Sequence, residues 1–304
     1  MSSVPSVCSD SIKDLLLRQG ACRVAVASVC PVEDWAQRLY DRWIERGMHA
    51  SMHYLENYPD LRADPALLLP GAKSIICCAF AFSPAPSGMG ARIAAYALGT
   101  DYHIVIRQRL EEVAARIQSL YGAATRVCVD SAPVRERYWA MRAGLGFIGL
   151  NNHLIIPDVG SYIFLGEILT TLPLTPDTPL HADCGQCGRC VRACPTGALR
   201  SDGSVDARRC LSYLTIEHRG DFPPGTDLHG CLYGCDTCAA VCPHNANASS
   251  QPVIESLRPR PELLSLTPAA CRQMTQEQFS TLFSRSAIKR TKLAGLLRNA
   301  RHLP

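Results

Sequence analysis

Four cysteines spaced Cys-x2-Cys-x2-Cys-x3-Cys-Pro, at Cys184, Cys187, Cys190 and Cys194 with Pro195, constrain this chain more than any other stretch. Cys235, Cys238, Cys242 and Pro243 repeat the second half of the pattern. Thiolates at this spacing wrap three corners of one iron–sulfur cube, while the fourth Cys, held by the turn before proline, reaches a neighbouring cube. Two [4Fe-4S] clusters are therefore expected. The crossed arrangement assigns Cys184, Cys187, Cys190 and Cys242 to the first and leaves Cys194, Cys235 and Cys238 for the second, one ligand short. Cys210 and Cys231 are the candidates for that ligand. Cys210 is favoured, because Cys231 stands only four residues before Cys235 and would need a very tight loop to join the same cube. Zinc also takes four thiolates, but its patterns come as separated Cys-x2-Cys pairs without the third Cys and the trailing Cys-Pro. A disulfide framework would need an oxidising compartment that nothing in the chain suggests.

Of the 16 cysteines in 304 residues, those outside the motifs, such as Cys77, Cys78 and Cys128, sit in apolar runs and read as small buried hydrophobes. A hydrophobic content of 47% with 19% charge is globular, and the length suits about two domains. Residues 1–11 carry no basic n-region, so no signal peptide is expected. The most apolar stretch, 74–82, is far shorter than the roughly 20 residues a membrane span needs. A soluble, cytoplasmic protein with no membrane partner is the expectation. Net charge is +4, unevenly spread. Residues 251–304 hold nine Arg or Lys against three Glu, a local +6. Such an end is either a solvated face or a surface for phosphates, and Arg285, Lys289, Arg290, Lys292 and Arg298 are the predicted phosphate contacts.

Along the chain, residues 12–20 read as a helix stopped by Gly20, and 23–27 as a strand. Residues 31–47 read as a second helix with Trp35, Leu39 and Trp43 on one face. Residues 73–82 are the clearest buried strand, and 102–120 carry a helical stripe of Ile106, Leu110, Val113 and Ile117. The strand predicted at 126–129 delivers Asp130 to its C-terminal end. A carboxyl placed there over an apolar pocket can have its pKa raised towards neutrality and act as a general acid, although Asp followed by Ser-x-Pro is also a helix N-cap pattern. Gly144, Gly146 and Gly149 follow a helix rather than a strand, which argues against a dinucleotide motif and for close backbone approach to a large planar cofactor. Strands at 153–156 and 162–170 lead through Pro173, Pro176 and Pro179 to a boundary. The expected domains are an α/β unit at 1–175, a ferredoxin-like two-cluster unit at 176–250 and a short helical end at 251–304.

Several further stretches carry a family resemblance. They are Gly47-Met48 with Tyr54-Leu55, Arg62-x-Asp64-Pro65, Pro70-Gly71-Ala72-Lys73-Ser74, Asp101-Tyr102-His103, Val129-Asp130-Ser131, Arg142-Ala143-Gly144, Cys210-Leu211-Ser212-Tyr213-Leu214-Thr215, and Tyr233-Gly234-Cys235-Asp236. Phe283-Ser284, Lys289-Arg290 and Leu296-Leu297-Arg298-Asn299 extend the match. In this order they resemble epoxyqueuosine reductase, an iron–sulfur and cobalamin enzyme that completes queuosine in tRNA. The resemblance implies an α+β, nitroreductase-like domain cupping base-off cobalamin beneath the ferredoxin-like module, with a HEAT-like helical end. It places the last cluster ligand on Cys210 and the general acid on Asp130, with His103 and Glu167 as second choices. Cobalamin contacts are expected at Arg62, Ala94, Asp130, Leu154, Ile156 and Leu165. Where the family often has Trp, Lys and Thr after the glycines, this chain has Phe147, Leu150 and Asn152.

Epoxide removal takes two electrons and protons, which no side chain supplies at low potential, so cofactors must carry the electrons. The implied partners are the anticodon stem-loop of tRNA and an external low-potential electron donor, and a monomer is expected. A cobalamin-dependent reductive dehalogenase is the alternative enzyme, though a twin-arginine leader would be expected near Met1 and no Arg-Arg pair stands there. A plain iron–sulfur electron carrier is the other alternative. Against it stand the about 180 residues before the clusters, more than a holder needs.

Overall fold

The computed structural model describes residues 6–304, so the reading of residues 1–11 lies partly outside the described residues. At its centre is a four-stranded antiparallel sheet in the order β1 (Arg23–Ser28), β2 (Ser74–Ala81), β7 (Ile163–Thr170), β4 (Thr125–Cys128). Every residue of β2 is buried, as its run of Ile75, Ile76 and Phe80 requires. One face packs α1 (Ser6–Arg18) through Ile12 and Leu16, and α4 (Tyr102–Tyr121) through Ile106, Leu110, Val113 and Ile117. Asp101 caps α4 at its start and Gly122, in the left-handed region at φ +62°, ends it. A Cβ on Gly166 of β7 would sit 2.8 Å from Leu110, so glycine there lets α4 lie close on the sheet.

The other face packs α5 (Glu136–Arg142) through Tyr138, Trp139 and Ala140. Here α2 (Asp34–Glu45) departs from the expected pattern. Its buried residue is Ala36, while Trp35 and Leu39 are 46% and 53% exposed. Trp43 turns the other way and donates to the Val205 carbonyl at 2.7 Å. Helical spacing aligned the three side chains, but the face that meets the sheet is the small one.

Short elements carry the rest. They are α3 (Pro59–Ala63), β3 (Arg92–Ile93), β5 (Phe147–Ile148) paired with β6 (Leu154–Ile155), α6 (Arg189–Ala193), α7 (Leu211–Ile216), β8 (Cys231–Tyr233) and α8 (Thr237–Ala240). Parallel pairing of β3 with β8 ties the first half of the chain to the second. The carboxyl end adds α9 (Pro261–Leu264), α10 (Pro268–Arg272), α11 (Gln276–Leu282) and α12 (Lys292–Arg301). These helices share one apolar core with residues 91–98 and 207–233, through Leu211, Leu232, Phe283, Ile288 and Leu296. Among the described residues no helix is long and apolar enough to cross a membrane.

Candidate active site and cluster ligands

The motif cysteines converge in two groups. Cys184, Cys187, Cys190 and Cys242 line one small cavity. Burial pushes the Cys242 thiol up, and the charges of Cys190, Cys187 and Cys184 push it further. The Cys210 thiol, raised by burial, faces Cys235 and Cys194, and Cys238 is pushed up to about 12 by burial and by Cys235 and Cys210. Cys235 is instead pulled down to about 5 by the hydrogen bond from Cys231, and Cys194, against its burial, is lowered by hydrogen bonds from nearby backbone and Thr196, so the group mixes ready thiolates with thiols that a thiophilic metal centre would deprotonate. Cys231 is 1% exposed in β8 and bonds to Cys235, but no other motif thiol acts on it. The first group offers four thiols and the second Cys194, Cys210, Cys235 and Cys238 with Cys231 bonded beside them, donor sets rich enough for two iron–sulfur cubes.

Asp130 follows β4 with φ +53°, in the left-handed region, and its side chain is 57% exposed. The expected N-cap role is absent, because α5 starts at Glu136 and its N-cap residue is Arg135. Instead Asp130 pairs with His103, Nε2 to Oδ2 at 3.0 Å. His103 Nδ1 lies 2.7 Å from Asp101 Oδ1, and its ring stacks on Tyr102 at 4.1 Å. The Asp130 backbone N–H donates to the Glu136 carboxylate.

This network corrects the expected proton distribution. Burial opposes ionisation of Asp130, but the hydrogen bond and charge of His103 outweigh it and hold the carboxyl below the usual range. Burial pulls His103 down, yet the bonds to Asp101 and Asp130 carry it up to about 9. Glu136 is pushed up to about 8 by burial and by the charge of Asp130. At neutral pH the protons sit on His103 and Glu136, around an ionised Asp130. Glu167, the other second choice, lies 0% exposed inside the sheet rather than at this surface.

Next to Asp130 opens a cleft of about 700 Å³ lined by Tyr54, Glu217, Arg219, Lys289, Arg290 and Lys292 among others. Arg290 lies 5.3 Å from the Tyr54 ring centroid, pairs with Glu217 through two 2.9 Å bonds, and acts on Asp130. The turn carrying Tyr54 is held by Glu56, whose Oε1 lies 2.7 Å from both His49 Nε2 and His53 Nδ1. Of the predicted phosphate contacts, Lys289, Arg290 and Lys292 reach this cleft and Arg285 is exposed elsewhere. Arg298 is a misreading. It is 8% exposed, donates to the carbonyls of Leu214, His218 and Gly220, and stacks on Phe222.

Comparison with known proteins places this site. Residues 62–131 match the family model "Epoxyqueuosine reductase QueG, DUF1730", and residues 183–245 match that of a 4Fe-4S double cluster binding domain. The epoxyqueuosine reductase of Cellulophaga algicola is 38% identical over 297 residues, covering 96% of each chain. That of Cyclobacterium marinum is 40% identical over 286 residues, covering 91% of this chain and 90% of its own. The chain belongs to the epoxyqueuosine reductase family. Its fold superposes with a TM-score of 0.88, at 29% identity, on an epoxyqueuosine reductase crystallised with an epoxyqueuosine-modified tRNA-Tyr stem loop, covering 97% of this chain and 80% of that one. The Bacillus subtilis reductase, solved with its catalytic Asp loop swung out of the active site, matches with a TM-score of 0.87 at 28% identity, covering 97% and 80%. The chain is thus an oxidoreductase with a mixed α/β fold and an iron–sulfur domain.

Against the reductase family's implied cobalamin, the named contacts divide. Ala94, Leu154, Ile156 and Leu165 are all at most 8% exposed, so they present little surface of their own. Arg62 is half-buried and donates to the carbonyls of Tyr54 and Asn57. Arg137 stands close enough to Asp130 and Glu136 for their charges to act on it. Arg137 is exposed, yet burial among protein lowers its pKa, and half-buried His153 is pushed down to about 4 by burial. His153 Nε2 lies 4.0 Å from Cys238 Sγ, beside the second thiol group. The three glycines have another cause: a Cβ on Gly144 or Gly146 would collide with the Thr178 or Ile155 carbonyl, which is packing within the protein. Spacing gave no sign of Tyr54, Glu136, Glu217 or Arg219, whose roles depend on which loops meet.

Proposed function

We propose that this enzyme reduces epoxyqueuosine to queuosine at the wobble position of tRNA, with electrons passing through two [4Fe-4S] clusters to base-off cobalamin. The observation that carries this reading is the Asp130–His103 pair, a carboxylate with an imidazolium behind it, exposed beside a basic cleft. Cys184, Cys187, Cys190 and Cys242 hold one cluster, and Cys194, Cys210, Cys235 and Cys238 the other. Arg62, Ala94, Asp130, Leu154, Ile156 and Leu165 would hold cobalamin, near Arg137 and His153. When bound, it supplies electrons at low potential to the epoxide. Asp130 gives the departing oxygen a proton, which His103 passes forward across their 3.0 Å bond. Asp101 holds His103 in the tautomer and orientation that allow this.

Lys289, Arg290, Lys292 and Arg219 take backbone phosphates of the anticodon loop, whose unpaired bases can enter a pocket without duplex opening. The nitroreductase-like layout of residues 1–175, the ferredoxin-like module at 176–250, the HEAT-like end at 251–304, an external low-potential donor and a monomeric working form complete the proposal. Anaerobic reconstitution followed by assay on a tRNA stem-loop carrying the epoxide tests it. Conversion to queuosine is expected. A reconstituted protein with intact clusters and bound corrin that leaves the epoxide untouched contradicts it.

A further inference from the structure

Glu167 stands in β7 opposite Cys77 of β2 and Cys128 of β4. Side chains directly opposite across a sheet share one face, and this face is the one that packs α5. Neither Glu167 oxygen has a hydrogen-bond partner among the described residues, and the side chain is 0% exposed. A carboxylate buried without a partner is far too costly to persist, so this group carries its proton. Nothing facing it offers a positive charge. The charges of Glu136 on α5 and of Asp130 in the loop after β4 act on it, and the thiols of Cys77 on β2 and Cys128 on β4 share its face. Glu136 in turn faces Asp130, Arg137 and, from α4, His103. Three carboxyls therefore run from the sheet interior to the cleft: Glu167 sealed, Glu136 half-buried against the Asp130 N–H, and Asp130 exposed.

We propose that Glu167 and Glu136 are a proton store behind Asp130, holding protons between the sheet and α5 and restocking the active-site acid during turnover. The inference rests on the reductase reading above. Reducing an epoxide to an alkene consumes two electrons and two protons and releases the oxygen as water. The electrons come from the low-potential donor, and the protons from O–H or N–H bonds of the enzyme that solvent later restores. His103 and Asp130 share one mobile proton at rest. A second is needed before the oxygen leaves as water, and Glu136, raised to about 8, is the nearest group that holds one at neutral pH. Glu167, held well above its usual range by burial and by the charge of Glu136, backs it.

Two readouts on the holoenzyme test this, one without turnover. Infrared spectra of the substrate-free wild type at neutral pH should contain the C=O stretch of a protonated, slowly exchanging carboxyl, and Glu167→Gln should delete it. In single-turnover reduction of epoxyqueuosine stem-loop, Glu167→Gln should lose about tenfold in rate at about pH 8, recover towards wild type on the acid side, and keep KM. An absent infrared band overturns the proposal, as does a Glu167→Gln enzyme with the wild-type pH–rate profile. Should Glu167→Gln fold poorly, Glu136→Gln must show the same alkaline loss, and an unchanged profile there is equally fatal. A wild-type enzyme that shows the band but never converts the epoxide counts against the reductase reading instead.

Discussion

In the sheet half, Ile75, Ile76, Phe80 and Ile168 are completely buried and four strands close one another's backbone, whereas residues 184–242 are short helical turns whose thiols mostly stay half-exposed. The first region has the apolar core that makes a fold stand alone. The second shares an apolar core with the carboxyl helices only from Ala207 on; around Cys184–Cys194 convergent thiols stand where a core would be, and metal–thiolate bonds there would do the cross-linking. On the proposed function the division extends to chemistry: electrons would be handled where cysteines converge and protons where Asp101, His103, Asp130 and Glu136 meet at the ends of β4 and α4. The lesson is that one half is ordered by what it binds and the other by what it buries.

The largest effect should come from the ligand set. Cys210→Ser is expected to lower iron from about eight to about four per chain and abolish turnover. Cys231→Ser should leave both clusters, and iron analysis showing the reverse would exchange their roles. Anaerobic iron removal with a chelator sharpens the same contrast. Amide exchange should rise across 184–242 and the carboxyl helices that share its core, while β2 and β7 stay protected. Equal loss of protection in both regions would mean a single cooperative unit instead.

A smaller effect separates the proton-handling residues from the cluster region. The His103 pKa is raised in the fold to about 9 from an ordinary 6.5. Its ion pairs therefore stabilise fully below about pH 6.5 and are lost as pH rises through about 9. Thermal melts of wild type against His103→Gln should diverge most on the acid side and converge at alkaline pH, with iron content equal throughout. Divergence that grows with pH would reverse the assigned charge. The smallest effect should come from the cleft. Each of Arg219, Lys289, Arg290 and Lys292 replaced by Gln should flatten the salt dependence of tRNA binding by roughly 0.7 to 0.9 in slope. Arg298→Gln, by contrast, should lower stability through the carbonyls it leaves unpaired.

How far each region was legible follows from the same contrast. Cysteine spacing is local, so the motif thiols could be named from the sequence, while the choice between Cys210 and Cys231 rested on loop length and the family resemblance. Asp130 was legible as the residue a strand delivers to its end. Its partner His103, 27 residues earlier, was only a second choice, since the approach of α4 to that strand end decides the pair. Glu136 left no signal at all. Periodicity put Trp35 and Leu39 on one face without saying whether that face is covered, and charge counting misjudged Arg298, because neither reports what lies across the interface. The pKa of Asp130 went the wrong way for a related reason: burial alone raises a carboxyl, and only the fold supplies the imidazolium that reverses it.

The division of labour is tested most directly by Asp130→Asn, assayed for iron, corrin content and turnover on epoxyqueuosine stem-loop in one preparation. The variant should retain about eight irons and its corrin spectrum, and lose roughly 10²–10⁴-fold in kcat. Wild-type turnover in a fully loaded Asp130→Asn enzyme would contradict the assignment of Asp130 as the proton donor.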